Sequence, residues 1–153
     1  MTEIAQTERG DKVVELATFY VGDALCGMDI LKVQEINKQM EVTRVPKAPE
    51  YVLGVLNLRG RIVTIIDLGK KLGLSPTQPT EASRNIIVNS QEEHIGLLVA
   101  GIADVVPAHW DKVEPPPANV RGIQGKNIQG VYKTEKSLIS ILDVGAVLRD
   151  EDQ

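Results

Sequence analysis

The chain has 153 residues, a length typical of one compact domain. It carries 17 lysines and arginines against 21 aspartates and glutamates, a net charge of −4, and only 3% of its residues are aromatic. A nucleic-acid-binding domain usually has a basic patch with interleaved aromatic residues, so this composition argues against that class. No apolar run reaches the ~18–20 residues of a membrane span, and the N-terminus is polar and acidic. We therefore expect a cytoplasmic protein with no direct membrane insertion.

The start of the chain predicts a tail followed by a β-hairpin. Residues 1–12 lack periodicity and are expected to form a flexible tail. Residues 13–21 are apolar and β-branched, which predicts a strand. The Gly22-Asp23 pair is a common hairpin turn, so residues 25–30 are predicted to return as the partner strand.

The next stretch predicts a short strand and a short helix. Residues 31–36 alternate imperfectly between apolar and polar side chains, which leaves Glu35 beside apolar neighbours. Residues 42–45 predict a short strand. Pro49 and Gly54 suit the first turn and the exit of a helix, so one or two helical turns are predicted between them.

The segment 51–74 is the part around which the chain is arranged. Its run of β-branched residues at 62–66 predicts a buried strand. The preceding Asn-Leu-Arg-Gly sequence at 57–60 predicts a tight turn that displays an arginine. After the strand, Asp67 is predicted to cap a short helix that ends at Gly73.

A similar pattern starts again after a proline-containing segment at residues 75–83, which we interpret as a linker. Further strands are predicted at residues 85–89, 94–106, 130–132 and 137–144, and a short helical end at 146–148. The second half therefore repeats the element order of the first.

The amino-acid sequence also contains an internal repeat. LCGMDILKVQEI, ending at Ile36, aligns without a gap with HIGLLVAGIADV, which places Gly27 on Gly96. GVLNLRGRIVTIIDL aligns with GVYKTEKSLISILDV, which places Asp67 on Asp143. In this alignment the Asn-Leu-Arg-Gly turn falls on Lys-Thr-Glu-Lys. The residues around this turn are similar in the two copies, but the side chains that the turn exposes differ. This difference indicates a contact surface.

The repeat predicts an all-β fold with short helices. Five short strands close naturally into a small barrel, which removes exposed strand edges. Two such barrels are predicted to pack around a shared core, because each is small for an independent one. The first barrel is placed at residues 13–74 and the second at 84–148.

No catalytic constellation is found in the sequence. Its two histidines, His94 and His109, and its one cysteine, Cys26, are too few for a zinc site, which needs about four ligands at defined spacing. Cys26 is interpreted as a small core residue. We therefore predict a binding module that is not an enzyme and holds no metal or cofactor. The competing hypothesis, a small barrel hydrolase with an unrecognised site, requires perturbed titratable groups in a deep pocket.

Three segments of the sequence resemble the CheW-like family of chemotaxis coupling proteins. They are FYVGDALCGMDILKVQEI, VTRVPKAPEYVLGVLNLRGRIVTIIDL and ISILDVGAVL. The most specific part is GVLNLRG followed by a hydrophobic strand and Asp-Leu. The resemblance implies a CheW-like domain over residues 13–150. The chain is too short for a kinase or an added receiver domain, so a free-standing coupling protein fits it best.

The resemblance implies a fold, two partners and a set of contact residues. The fold is two SH3-like five-stranded barrels around a shared core. The partners are the regulatory domain of the histidine kinase CheA and the cytoplasmic tip of a methyl-accepting chemotaxis receptor, so the protein would be recruited to membrane receptor arrays. By similarity, the residues expected to contact partners are Val33, Glu35, Ile36, Asn57, Arg59 and Gly60.

Two roles follow for these residues, and one alternative function stays open. Arg59 is expected to pair with a partner carboxylate through its forked guanidinium, or else to bond nearby carbonyls of its own turn. Val33 and Ile36 are expected to make apolar contacts or to pack in the core. The alternative function is a coupling protein of a non-chemotactic receptor–kinase array.

Overall fold

The computed structural model describes residues 12–149, which form short, mostly antiparallel strands with two short α-helices. The first half contains β1 (Val13–Val21), β2 (Ala24–Asp29), β3 (Val33–Lys38), β4 (Val52–Leu58), β5 (Arg61–Asp67) and α1 (Leu68–Lys71). The second half contains β6 (Arg84–Ser90), β7 (Glu93–Val99), β8 (Gly101–His109), β9 (Asn119–Val120), β10 (Ile123–Gln124), β11 (Ile128–Lys133), β12 (Leu138–Leu142) and α2 (Val144–Leu148). The predicted flexible tail falls outside the described residues except for Lys12, whose carbonyl accepts a hydrogen bond from Trp110 N at 2.9 Å.

Ten of the twelve strands form two five-stranded sheets and β9 pairs with β10, which confirms the predicted all-β architecture. One sheet has the order β11-β12-β2-β1-β8 and the other the order β3-β6-β7-β5-β4. In each sheet a backbone bridge adds a further segment to one edge strand, Thr43 to Val55 of β4 and Glu114 to Val131 of β11. Within residues 12–149, no helix has the length and apolar character needed to cross a membrane.

The two copies of the repeat exchange strands between the sheets. The first copy consists of β1–β5 and α1, and the second of β6–β8, β11, β12 and α2. Each copy gives its first two strands to one sheet and its last three to the other. The predicted division into a barrel of residues 13–74 and a barrel of 84–148 is therefore wrong as a description of strand pairing. The physical cause is that β2 pairs in parallel with β12, and β7 with β5, so each sheet needs both copies.

The repeat itself is confirmed by the register of these parallel pairs. Gly27 lies opposite Ile141, and Gly96 lies opposite Ile65. A Cβ atom on Gly27 would lie 3.0 Å from Ile139 Cγ2, and one on Gly96 would lie 2.5 Å from Ile65 Cδ1. At both glycines an isoleucine side chain of the neighbouring strand therefore lies close over the backbone, where any larger residue would displace it.

The segment around Gly54 differs from the prediction. The helical turns predicted between Pro49 and Gly54 are wrong, because β4 already begins at Val52 and pairs with β5. The strand predicted at 42–45 is reduced to a bridge, in which Thr43 exchanges two backbone hydrogen bonds of 2.8 Å with Val55. Pairing between β4 and β5, and not the local proline and glycine, therefore determines the backbone conformation here.

The helix cap predicted at Asp67 is confirmed, and its repeat equivalent Asp143 caps α2 in the same way. Asp67 Oδ1 accepts from Lys70 N at 3.3 Å, and Asp143 Oδ1 accepts from Ala146 N at 3.0 Å. Asp67 also accepts from Thr77, through the backbone N–H at 2.9 Å and the hydroxyl at 2.8 Å. Asp67 thus holds part of the predicted linker against the domain as well as capping α1.

The core is shared by both sheets, and Cys26 lies within it. Phe19 and Val21 of one sheet pack with Ile86 and Leu97 of the other, and all are fully or almost fully buried. Burial raises the pKa of the Cys26 thiol to about 12. The interpretation of Cys26 as a small core residue is confirmed by its complete burial.

We predict that Cys26 does not react with a thiol reagent while the protein is folded. The thiolate is the reactive form, and the raised pKa leaves almost none of it at neutral pH. Titration with a chromogenic disulfide should detect no thiol in buffer and one per chain in guanidinium chloride. Rapid labelling of the native protein would show that the core opens locally around β2.

Candidate partner-binding surface

The turn between β4 and β5 is built to display Arg59. Arg59 and Gly60 both have positive φ angles, 53° and 85°, as a two-residue hairpin turn of the primed type requires. Asn57 Oδ1 accepts a hydrogen bond from Gly60 N at 2.9 Å and closes the turn. The expected tight turn is present, but the left-handed residues are Arg59 and Gly60, while Asn57 acts through its side chain.

The guanidinium of Arg59 pairs with a carboxylate of its own chain. Arg59 Nη2 donates to Oε1 of Glu35, which lies on the edge strand β3. The Arg59 side chain is 67% exposed and the Glu35 side chain 31%. The bond from Arg59 is the main cause that lowers the pKa of Glu35 below its usual value. Glu35 is therefore ionised at neutral pH, and the pair is lost only as the pH falls through this lowered pKa. A partner that binds Arg59 meets an arginine already oriented by Glu35.

Beside this ion pair, a groove of about 290 Å³ runs along the junction of the two sheets. Val33, Glu35 and Ile36 of β3 line it from one side, and Ile102 and Val105 of β8 from the other. Ile36, Ile102 and Val105 are 40%, 39% and 49% exposed. Exposed aliphatic side chains at this density form an apolar surface suited to another protein.

The six predicted residues therefore fall into two adjoining sets. Val33, Glu35 and Ile36 line the groove, with Val33 also packed against the core. Asn57, Arg59 and Gly60 form the turn, which is joined to the groove through the Arg59–Glu35 pair. Of the two roles that the sequence left open for Val33, core packing is observed, and its position in the groove also leaves it available for an apolar contact.

The β8 side of the groove was missed by the sequence reasoning. Ile102 and Val105 line the groove opposite Val33 and Ile36. The repeat alignment had already placed Ile102 on Val33 and Val105 on Ile36, so the signal was present. Equivalent residues of the two copies meet across the junction, and each copy contributes one wall.

A second cluster fixes the ends of β3, β5 and β7 beside the turn. Arg61 Nη1 lies 3.1 Å from His94 Nε2, and His94 Nδ1 lies 2.9 Å from Gln34 Oε1. A guanidinium can only donate, so Nε2 accepts and Nδ1 carries the proton given to Gln34. This cluster connects side chains of β3, β5 and β7 next to the turn that carries Arg59.

A second turn of the same construction is present outside the aligned repeat. In Asn119-Val120-Arg121-Gly122, Arg121 and Gly122 have φ angles of 51° and 94°, and Asn119 Oδ1 accepts from Gly122 N at 2.9 Å. The sequence reasoning missed this turn because it compared only aligned positions. Arg121 is an exposed arginine on the same scaffold that is not part of the groove.

Among the described residues, no group of three or more histidine, cysteine, aspartate or glutamate side chains could hold a metal ion. The groove contains a single ionised carboxylate already paired with an arginine. Its geometry provides neither a nucleophile with an adjacent base nor a general acid–base pair. These features define a protein-binding β module built from two fused five-stranded units.

Comparison with known proteins identifies the family. The chain matches the CheW-like domain family over residues 15–152. It is 32% identical to the chemotaxis protein CheW of Bacillus subtilis, covering 96% of this chain and 92% of that protein. It is 33% identical to the chemotaxis protein CheW of Treponema pallidum, covering 88% of this chain and 81% of that protein.

A solved structure shows the same fold. The crystal structure of the scaffolding protein TtCheW from Thermoanaerobacter tengcongensis has a TM-score of 0.84 and 31% identity, covering 92% of this chain and 90% of that chain. The chain belongs to the CheW-like family, and it is a chemotaxis scaffold protein with the SH3-like barrels of that family and no enzymatic activity.

Proposed function

We propose that this protein couples methyl-accepting chemotaxis receptors to the histidine kinase CheA, binding the receptor's cytoplasmic tip and the kinase's regulatory domain. The observation that carries the proposal is the apolar groove at the sheet junction, bordered by the Arg59–Glu35 pair. The names of its relatives, chemotaxis protein CheW and a scaffolding protein, support the same function. The protein would act in the cytoplasm, at membrane receptor arrays.

The groove suits the side of a helical hairpin. Helices bind in apolar grooves through side chains spaced three and four residues apart, and the partly exposed aliphatics of β3 and β8 offer such contacts. Because Ile36 and Val105 belong to different sheets, an occupant of the groove touches both barrels at once. We therefore place the receptor tip here.

The Arg59–Glu35 pair would give this contact its polar specificity. Glu35 lines the groove and Arg59 stands at its border, so an incoming helix meets both charges. Arg59 is largely exposed and has donors left after bonding one oxygen of Glu35, since a guanidinium carries five. It can therefore bind a partner carboxylate while Glu35 holds it in place.

As an adaptor, the protein would act without chemistry of its own. Holding the kinase beside the receptor raises the local concentration of one for the other. To pass a signal, the contacts must also differ in free energy between receptor states, and typical couplings are ~1–3 kcal/mol. The rigid shared core suits such transmission because it links the groove to both barrels.

The proposal is tested with Arg59→Ala. The variant should keep the unfolding temperature of the parent, because the side chain is largely exposed. It should bind the receptor hairpin or the kinase regulatory domain roughly tenfold more weakly, since a polar contact is lost and Glu35 is left unpaired. Isothermal titration calorimetry against each partner separately measures both effects.

Arg121→Ala is the matched control for this experiment. Arg121 has the same turn geometry as Arg59 but lies outside the groove, so its loss should leave receptor affinity unchanged. If Arg59→Ala binds both partners as the parent does, the role of Arg59 is wrong. If the parent binds neither partner, the proposed function is wrong.

A further inference from the structure

A second, larger cleft lies apart from the groove. It is lined by Tyr51 and Val52 at the start of β4, by Lys71 at the end of α1, and by Leu148 and Arg149 at the end of α2. Its volume is about 1260 Å³, and it shares no lining residue with the groove at the sheet junction. The cleft therefore belongs to a different part of the surface and has no role in the proposed receptor contact.

The charge of this cleft is opposite to that of the whole chain. Among the described residues that line it, Lys71, Lys126 and Arg149 are cationic and Glu93 is the one carboxylate. The chain as a whole has a net charge of −4. A local excess of positive charge on an acidic protein favours an anionic partner.

The ammonium group of Lys71 is held in a fixed position at the cleft. Lys71 Nζ lies 4.7 Å from the centre of the Tyr51 ring and donates to the carbonyl of Arg149 at 3.3 Å. A cation over an aromatic ring is attracted by the negative face of the ring. Because the lysine is already ordered, less conformational entropy is lost when a partner binds it.

The inner surface of the cleft is aliphatic. Ile66 is 3% exposed, while Val52, Ile95 and Leu148 are half-buried and line the cleft between the cations. Small-molecule sites usually measure ~300–1,000 Å³, so the volume of this cleft exceeds that range. An occupant larger than a small anion, with apolar groups as well as carboxylates, would match this size and lining.

We propose that this cleft binds an acidic, amphipathic segment of a protein partner, whose carboxylates pair with Lys71 and Arg149 and whose aliphatic side chains cover Val52 and Leu148. Such a segment matches the cleft in charge, in apolar character and in size. The inference is independent of the receptor contact proposed above, because the two surfaces share no residues.

The test uses the full chain and a fluorescein-labelled peptide of alternating glutamate and leucine, followed by fluorescence anisotropy. The charge reversal Lys71→Glu with Arg149→Glu should weaken binding at least tenfold. The matched control, Lys32→Glu with Lys112→Glu, changes the net charge equally at exposed sites outside the cleft and should bind within about twofold of the parent. Added salt should weaken binding, since the cations are partly solvated.

Two further measurements keep the result interpretable. Arg149→Glu alone leaves the Lys71–Tyr51 contact intact and should still weaken binding, which excludes an effect of misfolding. A peptide of glutamate and serine should bind more weakly than the glutamate–leucine peptide, because it cannot cover the apolar surface.

Three outcomes would overturn the proposal. The first is equal affinity of the cleft variant and the control variant for the peptide. The second is equal binding of the glutamate–serine peptide. The third is binding that appears only when residues 150–153 are removed, because the cleft would then serve the Asp-Glu-Asp sequence of the chain itself.

Discussion

Ile36→Asp is expected to reduce the affinity for a receptor hairpin about 30-fold, which corresponds to ~2 kcal/mol. Ile36 lines the junction groove with 40% of its surface exposed, so its aliphatic side chain is available to a partner. An aspartate at this position would place a second carboxylate next to Glu35 and would be desolvated by a bound helix. Both effects act on binding, because the side chain faces outward from β3.

The control for this variant is Val45→Asp. Val45 is 42% exposed, almost the same fraction as Ile36, but it does not line the groove. Both variants should unfold at nearly the same temperature, and Val45→Asp should bind the hairpin as the parent does. Equal loss of binding in both, measured by calorimetry, would mean that added negative charge and not the groove governs the interaction.

Gly54→Ala is expected to destabilise the fold by about 3 kcal/mol, or roughly 6–12 °C in Tm for a chain of this size. A Cβ atom at this position would lie 2.9 Å from the carbonyl carbon of Thr43 and 3.0 Å from Val42 Cβ. Thr43 cannot move aside cheaply, because its two hydrogen bonds to Val55 attach this segment to β4. The φ angle of +153° adds backbone strain for any residue other than glycine.

Gly101→Ala tests whether the loss is specific to that contact. A Cβ on Gly101 would find its nearest neighbour at 3.8 Å, so this change should cost within ~0.5 kcal/mol. Urea unfolding of both variants gives the comparison directly. A Gly54→Ala protein as stable as the Gly101→Ala protein would show that the segment around Thr43 is not packed against β4.

Local signals predicted those elements whose stabilising contacts are close in sequence. The strand before α1, the turn at Arg59 and the cap at Asp67 each depend on residues within one short segment, and all three are present. The helical turns predicted before Gly54 failed because pairing with β5 decided the conformation there.

Half of the candidate surface also followed from the sequence. The motif named both Glu35 and Arg59 as contact residues, but nothing in the sequence shows that their side chains bond each other across 24 positions. The wall formed by Ile102 and Val105 depends on two sheets meeting edge to edge, which is a property of the assembled fold. The strand exchange likewise could not be deduced, since the repeat is equally compatible with separate and with interleaved barrels.

The interleaving limits how the polypeptide can be divided. A cut between α1 and β6 would leave a first fragment holding β1 and β2 without their partner β12, and β5 without β7. Neither fragment could complete a sheet alone, so each should stay unfolded in isolation and recover structure only when mixed with the other. The molecule is in this sense a covalently linked heterodimer of its own halves.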